Sequence, residues 1–313
     1  MKIDTPQTQP SVAVIVATYN GAANLQEQLD SFCNQTLIPA LILIADDGST
    51  DNTLEIAHQF SDQHPDLSVR IMKGPCRGVA KNFLSLLNHV PDHIDMVSLS
   101  DQDDIWFANK LAQGVAMLES QKGVALYCGR TLEWDAERDV RHLSRLPVKP
   151  PSFCHALVQN IAGGNTMILN RAALDLVQAA SKEAIKVVMH DWWIYQIVTA
   201  VGGTVFYDPE PMMLYRQHPE NLIGANRGFM SKAKRLRLML SGRFRRWGTI
   251  NSQALGASKH RMTAKNAQRL EAFTKGRNGS VLTRVKMIRD NGFYRQGTVG
   301  QLSLYLAALL RRL

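Results

Sequence analysis

Closely spaced aspartates are the residues of this sequence best suited to chemistry. Asp101 and Asp103 stand two apart in Ser100-Asp101-Gln102-Asp103-Asp104, directly after the apolar run Ile94–Leu99. In an extended exit from a strand such residues point to the same side, so their carboxylates can share one ligand. Crowded carboxylates repel each other. A hard divalent cation with oxygen ligands, magnesium or manganese, relieves the repulsion and could bridge a diphosphate. A plainer reading also fits, with the aspartates forming a turn and Asp104 capping a helix that starts at Ile105-Trp106. A second pair opens Asp46-Asp47-Gly48-Ser49-Thr50-Asp51 after the run Leu41–Ala45, at the same predicted sheet edge. On its own it could be a tight turn, with Thr50 or Asp51 capping the next helix. Asp191 precedes the aromatic and apolar run Trp192-Trp193-Ile194-Tyr195, by itself the position of an N-cap.

The elements that must position these groups follow a rhythm. Short apolar runs (Val12–Ala17, Leu41–Ala45, Leu67–Met72, Ile94–Leu99) alternate with amphipathic stretches (Ala22–Cys33, Thr53–Gln63, Val79–Val90, Ile105–Ser120). Runs apolar at consecutive positions suit strands covered on both faces, so the pattern predicts an α/β fold with a parallel, buried sheet flanked by helices. Ligands bind such sheets beyond the carboxyl ends of the strands. Thr18-Tyr19-Asn20-Gly21 and the two aspartate clusters fall there. Farther on, Gly163-Gly164-Asn165-Thr166 leads into a strand at Met167–Leu169 and an amphipathic stretch from Arg171; its glycines either let backbone approach a ligand or form a simple bulge. Met213–Asn221 reads as a polar loop.

Composition narrows the function classes. The chain has 313 residues, 45% hydrophobic and 20% charged, which is ordinary globular usage and excludes disordered, collagen-like and fibrous proteins. No apolar run approaches the roughly 20 residues of a membrane span, and the N-terminus lacks a signal peptide's apolar region, so the chain is expected to stay in the cytoplasm. Cys33, Cys76, Cys128 and Cys154 form no CxxC pair and read as isolated thiols. No Walker loop is present and no GxGxxG follows the first strand, which removes the cradle of an NTPase or a dinucleotide oxidoreductase. The net charge of +9 conceals a division. From Arg227 to Leu313 there are 20 basic and two acidic residues, whereas residues 1–226 carry a net −9. An acidic half suits a cation site, and a basic tail attracts lipid headgroups, nucleic acid or nucleotide phosphates. Phe229–Leu240 sets apolar residues among lysines and arginines at helical spacing, the pattern of a membrane-surface helix. These features predict a catalytic domain over 1–226 and a basic helical region over 227–313. The competing class is a non-enzymatic polyanion binder; the acidic first half argues against nucleic acid as the partner.

The combination TYNGAANLQEQLDSFCNQT, LILIADDGSTDNT and SLSDQDDIW resembles the nucleotide-sugar-binding half of the family-2 glycosyltransferases, inverting enzymes with the GT-A fold, over roughly residues 11–225. The resemblance implies a Rossmann-like, mostly parallel sheet. It places Thr18, Tyr19 and Asp46 or Asp47 around the nucleoside base, Asp101 near the ribose and Asp103 on the metal of the diphosphate, with Asn20 and Gln102 among the residues that bind the nucleotide sugar. Arg77 and Lys81 are its candidates for a basic residue that reaches the nucleotide. Gly164 and Asn165 would line the cleft between donor and acceptor, and Trp192 or Trp193 would offer the acceptor a stacking face. Inversion needs a base on the attacking side, and Asp191 is implied in that role, with His190 orienting it or simply packed. The stretch Arg216-Gln217-His218-Pro219-Glu220-Asn221 resembles rhamnosyltransferase-like members, with Arg216 on the leaving group and His218 on metal or phosphate. The expectation is therefore metal-dependent transfer of L-rhamnose from dTDP-rhamnose to a saccharide or lipid-linked saccharide in cell-surface polysaccharide or O-antigen synthesis, with the tail at the inner face of the cytoplasmic membrane. UDP-glucose, UDP-galactose and UDP-N-acetylhexosamine fit the same motifs as donors.

Overall fold

Six consecutive apolar residues followed by a threonine make β1 (Val12–Thr18), the strand about which the first half is built. A computed structural model describes residues 9–217 and 241–313 of the protein. Strands β2 (Leu41–Asp46), β3 (Val69–Lys73) and β4 (Met96–Ser100) join β1 in parallel, in the order β3-β2-β1-β4, with Ala13 opposite Leu41 and Val12 opposite Met96. Helices α1 (Leu25–Cys33), α2 (Thr53–Gln63) and α3 (Val79–Asn88) are the crossovers. Every residue of β2 and β4 is buried, as expected of strands covered on both faces.

Beyond β4 the sheet is mixed. Strand β8 (Met167–Asn170) lies antiparallel between β4 and β6 (Ala125–Asp135); β6 runs parallel to β9 (Thr204–Arg216) and carries β7 (Val140–Leu143) antiparallel. A parallel pair needs a crossover, usually a full helix. The β6–β8 connection holds only the β7 ribbon, the single-turn helix α5 (Phe153–Ala156) and a 3-10 turn, Gly164–Thr166. Two local expectations also need correction. Ile105-Trp106 is not helical but forms the two-residue strand β5, antiparallel to β9, because Trp106 is buried edge-on to Phe32; helix α4 (Lys110–Leu118) begins only at Lys110. Met213–Arg216 is not loop but the end of β9, with Arg216 opposite Trp134.

Helices α6 (Arg171–Glu183) and α7 (His190–Ala200) cover one face of the sheet together with α3. The second half continues with α8 (Arg243–Ala257), α9 (Ala264–Gly276), α10 (Val281–Asp290) and α11 (Gly297–Leu309). Leu255, Leu270, Phe273, Ile288, Phe293 and Leu304 belong to the same apolar core as Trp193 and Ile194 of α7, so the basic helices and the sheet-bearing half share one interior. The basic stretch Phe229–Leu240 and the boundary near Asn226 lie outside the described residues. Among the described residues no helix is long and apolar enough to cross a membrane.

Candidate active site

Three loops meet at the carboxyl ends of β1, β2 and β4. After β2 the chain turns back through Gly48, whose φ of +99° is readily adopted only by glycine. Asp46 is spent on that turn. It is buried, and its carboxylate accepts from the amides of Gly48 (3.0 Å) and Ser49 (2.8 Å) and from Thr18 Oγ1 (3.0 Å). Asp46 and Thr18 are therefore engaged with each other and with the turn. Asp47 accepts from the amides of Cys76 (2.6 Å) and Gly78 (2.7 Å), and so fastens the loop bearing exposed Arg77; half-buried Lys81 follows in the first turn of α3. Tyr19, 58% exposed, has its backbone amide and carbonyl gripped by the side-chain amide of Gln102 (2.8 and 3.1 Å), which locks the β1 exit to the β4 exit. Asn20 sits at φ +49° and accepts from the Thr50 amide, completing the rim.

The oxygens of Asp101, Asp103 and Asp104 lie within 4.8 Å of one another. Asp104 is no helix cap, since no helix starts at Ile105. Instead it is fully buried, accepting from Asn165 Nδ2 (2.6 Å) and the Arg216 amide (3.2 Å). Burial raises the Asp101 carboxyl above the usual range, and the negative charges of Asp103 and Asp191 add to the rise. Asp104 is raised for the same reason, by burial and then by Asp101 and Asp103. Lys110 opposes the rise at Asp101. Its side chain is buried under the cluster, with Nζ 3.3 Å from Ser98 Oγ and 3.2 Å from the centre of the Trp106 ring. Burial holds the Lys110 ammonium well below its ordinary pKa, against the pull of Asp104 and Asp101. An oxygen-only donor set, crowded and short of positive charge, fits a hard divalent cation on Asp101 and Asp103.

Asp191, from a separate segment, is near enough to this cluster for its charge to act on Asp101. The N-cap of α7 is Met189, so Asp191 belongs to the helix's first turn and is not the cap. Its carboxylate accepts from the Trp192 amide at 2.6 Å. Burial pushes the carboxyl up to about 6, with hydrogen bonds from Trp192 and Asn160 pulling the other way. His190 is packed and neutral, stacked on Phe83 at 4.0 Å, and its pKa is lowered by burial to about 3.

Several expected contacts are not available to a ligand. Trp192 and Trp193 are core residues, 5% and 0% exposed; their indole N–H groups donate to the Ala156 carbonyl and to Ser181 Oγ, so neither offers a stacking face. Gly164 does provide a close approach, but to His190, since a Cβ there would sit 2.3 Å from His190 Nε2. Asn165, 3% exposed, orients Asp104 from beneath and does not line an open cleft. Arg216 reaches the cluster from the end of β9, but its guanidinium is engaged: Nε donates to the Asp103 carbonyl (3.0 Å), a terminal nitrogen pairs with Glu27, and the group stacks over Trp134. It fastens the acidic loop and is not a free cation facing a diphosphate. His218 lies outside the described residues.

Two members of the site went unread in the sequence. Lys110 shares the i, i+4, i+8 stripe of Gly114 and Leu118, so the helical period alone puts a lysine on the buried face seven residues after Asp103. Tyr215 is surrounded by acids. Its phenol is held protonated by burial and by Asp101, Asp104, Asp103 and Asp191, which makes it an O–H donor amid four carboxyls. No local signal marks it, because its surroundings come from two distant segments, the β4 exit and the start of α7.

The sequence profile of the family described as Glycosyl transferase family 2 matches residues 13–176. The dTDP-rhamnosyl transferase RfbG of Shigella flexneri is 30% identical over 247 residues, 77% of this chain and 84% of that protein. An uncharacterized protein of Mycobacterium tuberculosis is 27% identical over 216 residues, 67% of this chain and 60% of its own length. Among solved structures, S. aureus TarS residues 1–349 with UDP-GlcNAc superposes with a TM-score of 0.55 at 15% identity, covering 96% of this chain and 79% of that one. The mannosyltransferase PcManGT of Pyrobaculum calidifontis, in complex with GDP-Man and Mn2+, gives 0.55 at 18% identity, covering 98% and 87%.

Proposed function

The chain belongs to glycosyl transferase family 2, and from that premise we propose that it transfers L-rhamnose from dTDP-rhamnose to a saccharide acceptor, inverting the anomeric centre, in the assembly of a cell-surface polysaccharide such as an O-antigen. Its coarser identity, a nucleotide-sugar transferase of the GT-A fold, comes with the family. The observation that supports the mechanism is that buried Asp191, from a separate segment, lies close enough to the acidic cluster for its charge to act on Asp101 and, with Asp101, Asp103 and Asp104, on Tyr215. The likeness to RfbG supports rhamnose as the sugar.

A divalent cation held by Asp101 and Asp103 would supply the positive charge that lets a nucleoside diphosphate depart. The chain's own residues do the rest. Asp191 accepts the proton of the acceptor hydroxyl as its oxygen attacks the anomeric carbon on the face opposite the nucleotide. Tyr19 and the loop held by Asp47 offer the donor a rim, with Arg77 and Lys81 as the mobile positive charges there. Tyr215, always protonated, donates a hydrogen bond among the carboxyls and does not compete with Asp191 as a base.

The test is an assay of the purified chain with dTDP-rhamnose and the UDP sugars, with manganese and with chelator. Release of dTDP in preference to UDP, lost on chelation and lost in Asp103→Ala, is the expected result. Turnover that survives removal of every divalent ion would overturn the metal reading, and preference for a UDP sugar would overturn the donor. A non-enzymatic polyanion binder would turn over none of them.

A further inference from the structure

Helix α11 carries no charged residue, and its solvent side is apolar. Every exposed position from 299 to 310 is Val or Leu: Val299, Leu302, Leu306, Leu309 and Leu310, between 40% and 74% exposed. Their spacing places them on one stripe, while Leu304, Ala307 and Ala308 on the opposite side enter the core. Arg284 of α10 donates to the Ala308 and Leu309 carbonyls and brings the start of that helix, with Leu282 77% exposed, beside the end of the stripe. Guanidinium groups gather at the same end. Arg311 and Arg312 follow the stripe directly, and Arg245 of α8 donates to the Arg311 carbonyl at 3.2 Å, with exposed Arg243 and Arg246 flanking it. An apolar row this continuous is uncommon on a solvated surface and marks an interaction site.

We propose that this face of α11 lies in the interface of an anionic lipid bilayer, its leucines among the acyl chains and the arginines at its end among the headgroups. Thirteen residues extend about 20 Å as a helix, short of the roughly 30 Å hydrocarbon core, so the helix lies flat and does not span. Charge selects the lipid over a second copy of the chain. Residues 241–313 carry 15 basic and two acidic side chains, a net +13, and a two-fold dimer through α11 would set two such regions against each other. An anionic leaflet attracts what a second copy repels. The inference is independent of the donor sugar and of the transferase reading itself.

The experiment is co-sedimentation of the full chain with vesicles of phosphatidylglycerol and phosphatidylcholine, against phosphatidylcholine alone, at low and high salt. Expected are binding to the anionic vesicles that salt weakens, and a loss of about tenfold or more in both the Leu302→Asp/Leu306→Asp and the Arg311→Glu/Arg312→Glu chains. Circular dichroism should show both variants folded, since all four side chains are at the surface. Absence of vesicle binding, or binding equal in the leucine variant, would overturn the proposal. So would a concentration-dependent dimer in sedimentation velocity that Leu302→Asp abolishes, because the stripe's occupant would then be a second copy.

Discussion

Asp191 owes its raised pKa chiefly to burial, and the sign of that shift fixes a pH dependence. A carboxyl held up to about 6 keeps its proton, and cannot serve as a base, until the pH passes that value. The kcat/KM of transfer should therefore climb about tenfold per pH unit below roughly 6 and level off above it. In Asp191→Asn, turnover should fall by about 10² to 10⁴ while donor binding persists, which a nucleotide-displacement titration can follow beside the rate assay. Lys110 answers to a different measurement. Replacing it with Met removes the buried group whose charge opposes the rise at Asp101, and leaving a buried carboxylate less compensated costs on the order of a few kcal/mol. The unfolding midpoint of Lys110→Met should lie below the parent's at neutral pH, and manganese should restore part of the loss. At this scale the sequence was legible in placement: Asp101, Asp103 and Asp191 stand in local motifs, and the fold brings them near one another. It misled where a motif residue could serve either ligand or fold: Asp46 and Arg216 have suitable side chains in suitable places, yet hydrogen bonds from other segments consume them.

Among the elements, the first four strands could be read because burial on both faces leaves an unbroken apolar run, as in β1 and β2. Strand β5 and the end of β9 could not. They are short edge pieces whose pairing, Ile105 with Leu214 and Trp106 with Met213, depends on partners a hundred residues away. The tryptophans of α7 show the same limit, since a helix buried all round has no polar face to reveal which side meets the cleft. The junction of that helix with the 3-10 turn invites a test. In Gly164→Ala the new methyl would collide with the His190 ring, which is pinned against Phe83, so α7 must shift at the residue before Asp191. Turnover should fall while the donor's KM changes little, and far-UV circular dichroism should remain that of the parent. Equal kinetics in Gly164→Ala would mean that the ring yields without moving Asp191.

Across the whole molecule, the division of charge is not a division of the interior. Trp192 of α7 meets Trp247 of α8 edge-on at 6.3 Å, and Arg295 donates to the Val158 carbonyl at 3.0 Å. His155 lies between the halves, 3.0 Å from the Tyr195 hydroxyl and stacked on Tyr294. Burial lowers its pKa to about 4, so below the unfolded value of about 6.5 the unfolded chain binds a proton that the folded chain refuses. The stability this neutral ring contributes is present above about pH 6.5 and lost as the pH falls toward 4. His155→Asn should accordingly show a shallower fall in unfolding midpoint over that window than the parent. A chain ended at residue 217 should fail to fold. Burying a large apolar side chain is worth about 1.5–3 kcal/mol, and the residues that α8 to α11 add to the shared core outweigh a typical net stability of about 5–15 kcal/mol.

A lysine buried beneath an acidic pocket weakens the pocket's hold on any other cation. Lys110 lies there with its Nζ against Ser98 and the Trp106 ring, and its charge acts on Asp101. An ion placed on Asp101 and Asp103 would meet that same charge as repulsion. Lys110→Met should therefore bind manganese more tightly than the parent in calorimetric titration, and equal affinity in the two would mean that the lysine tempers nothing.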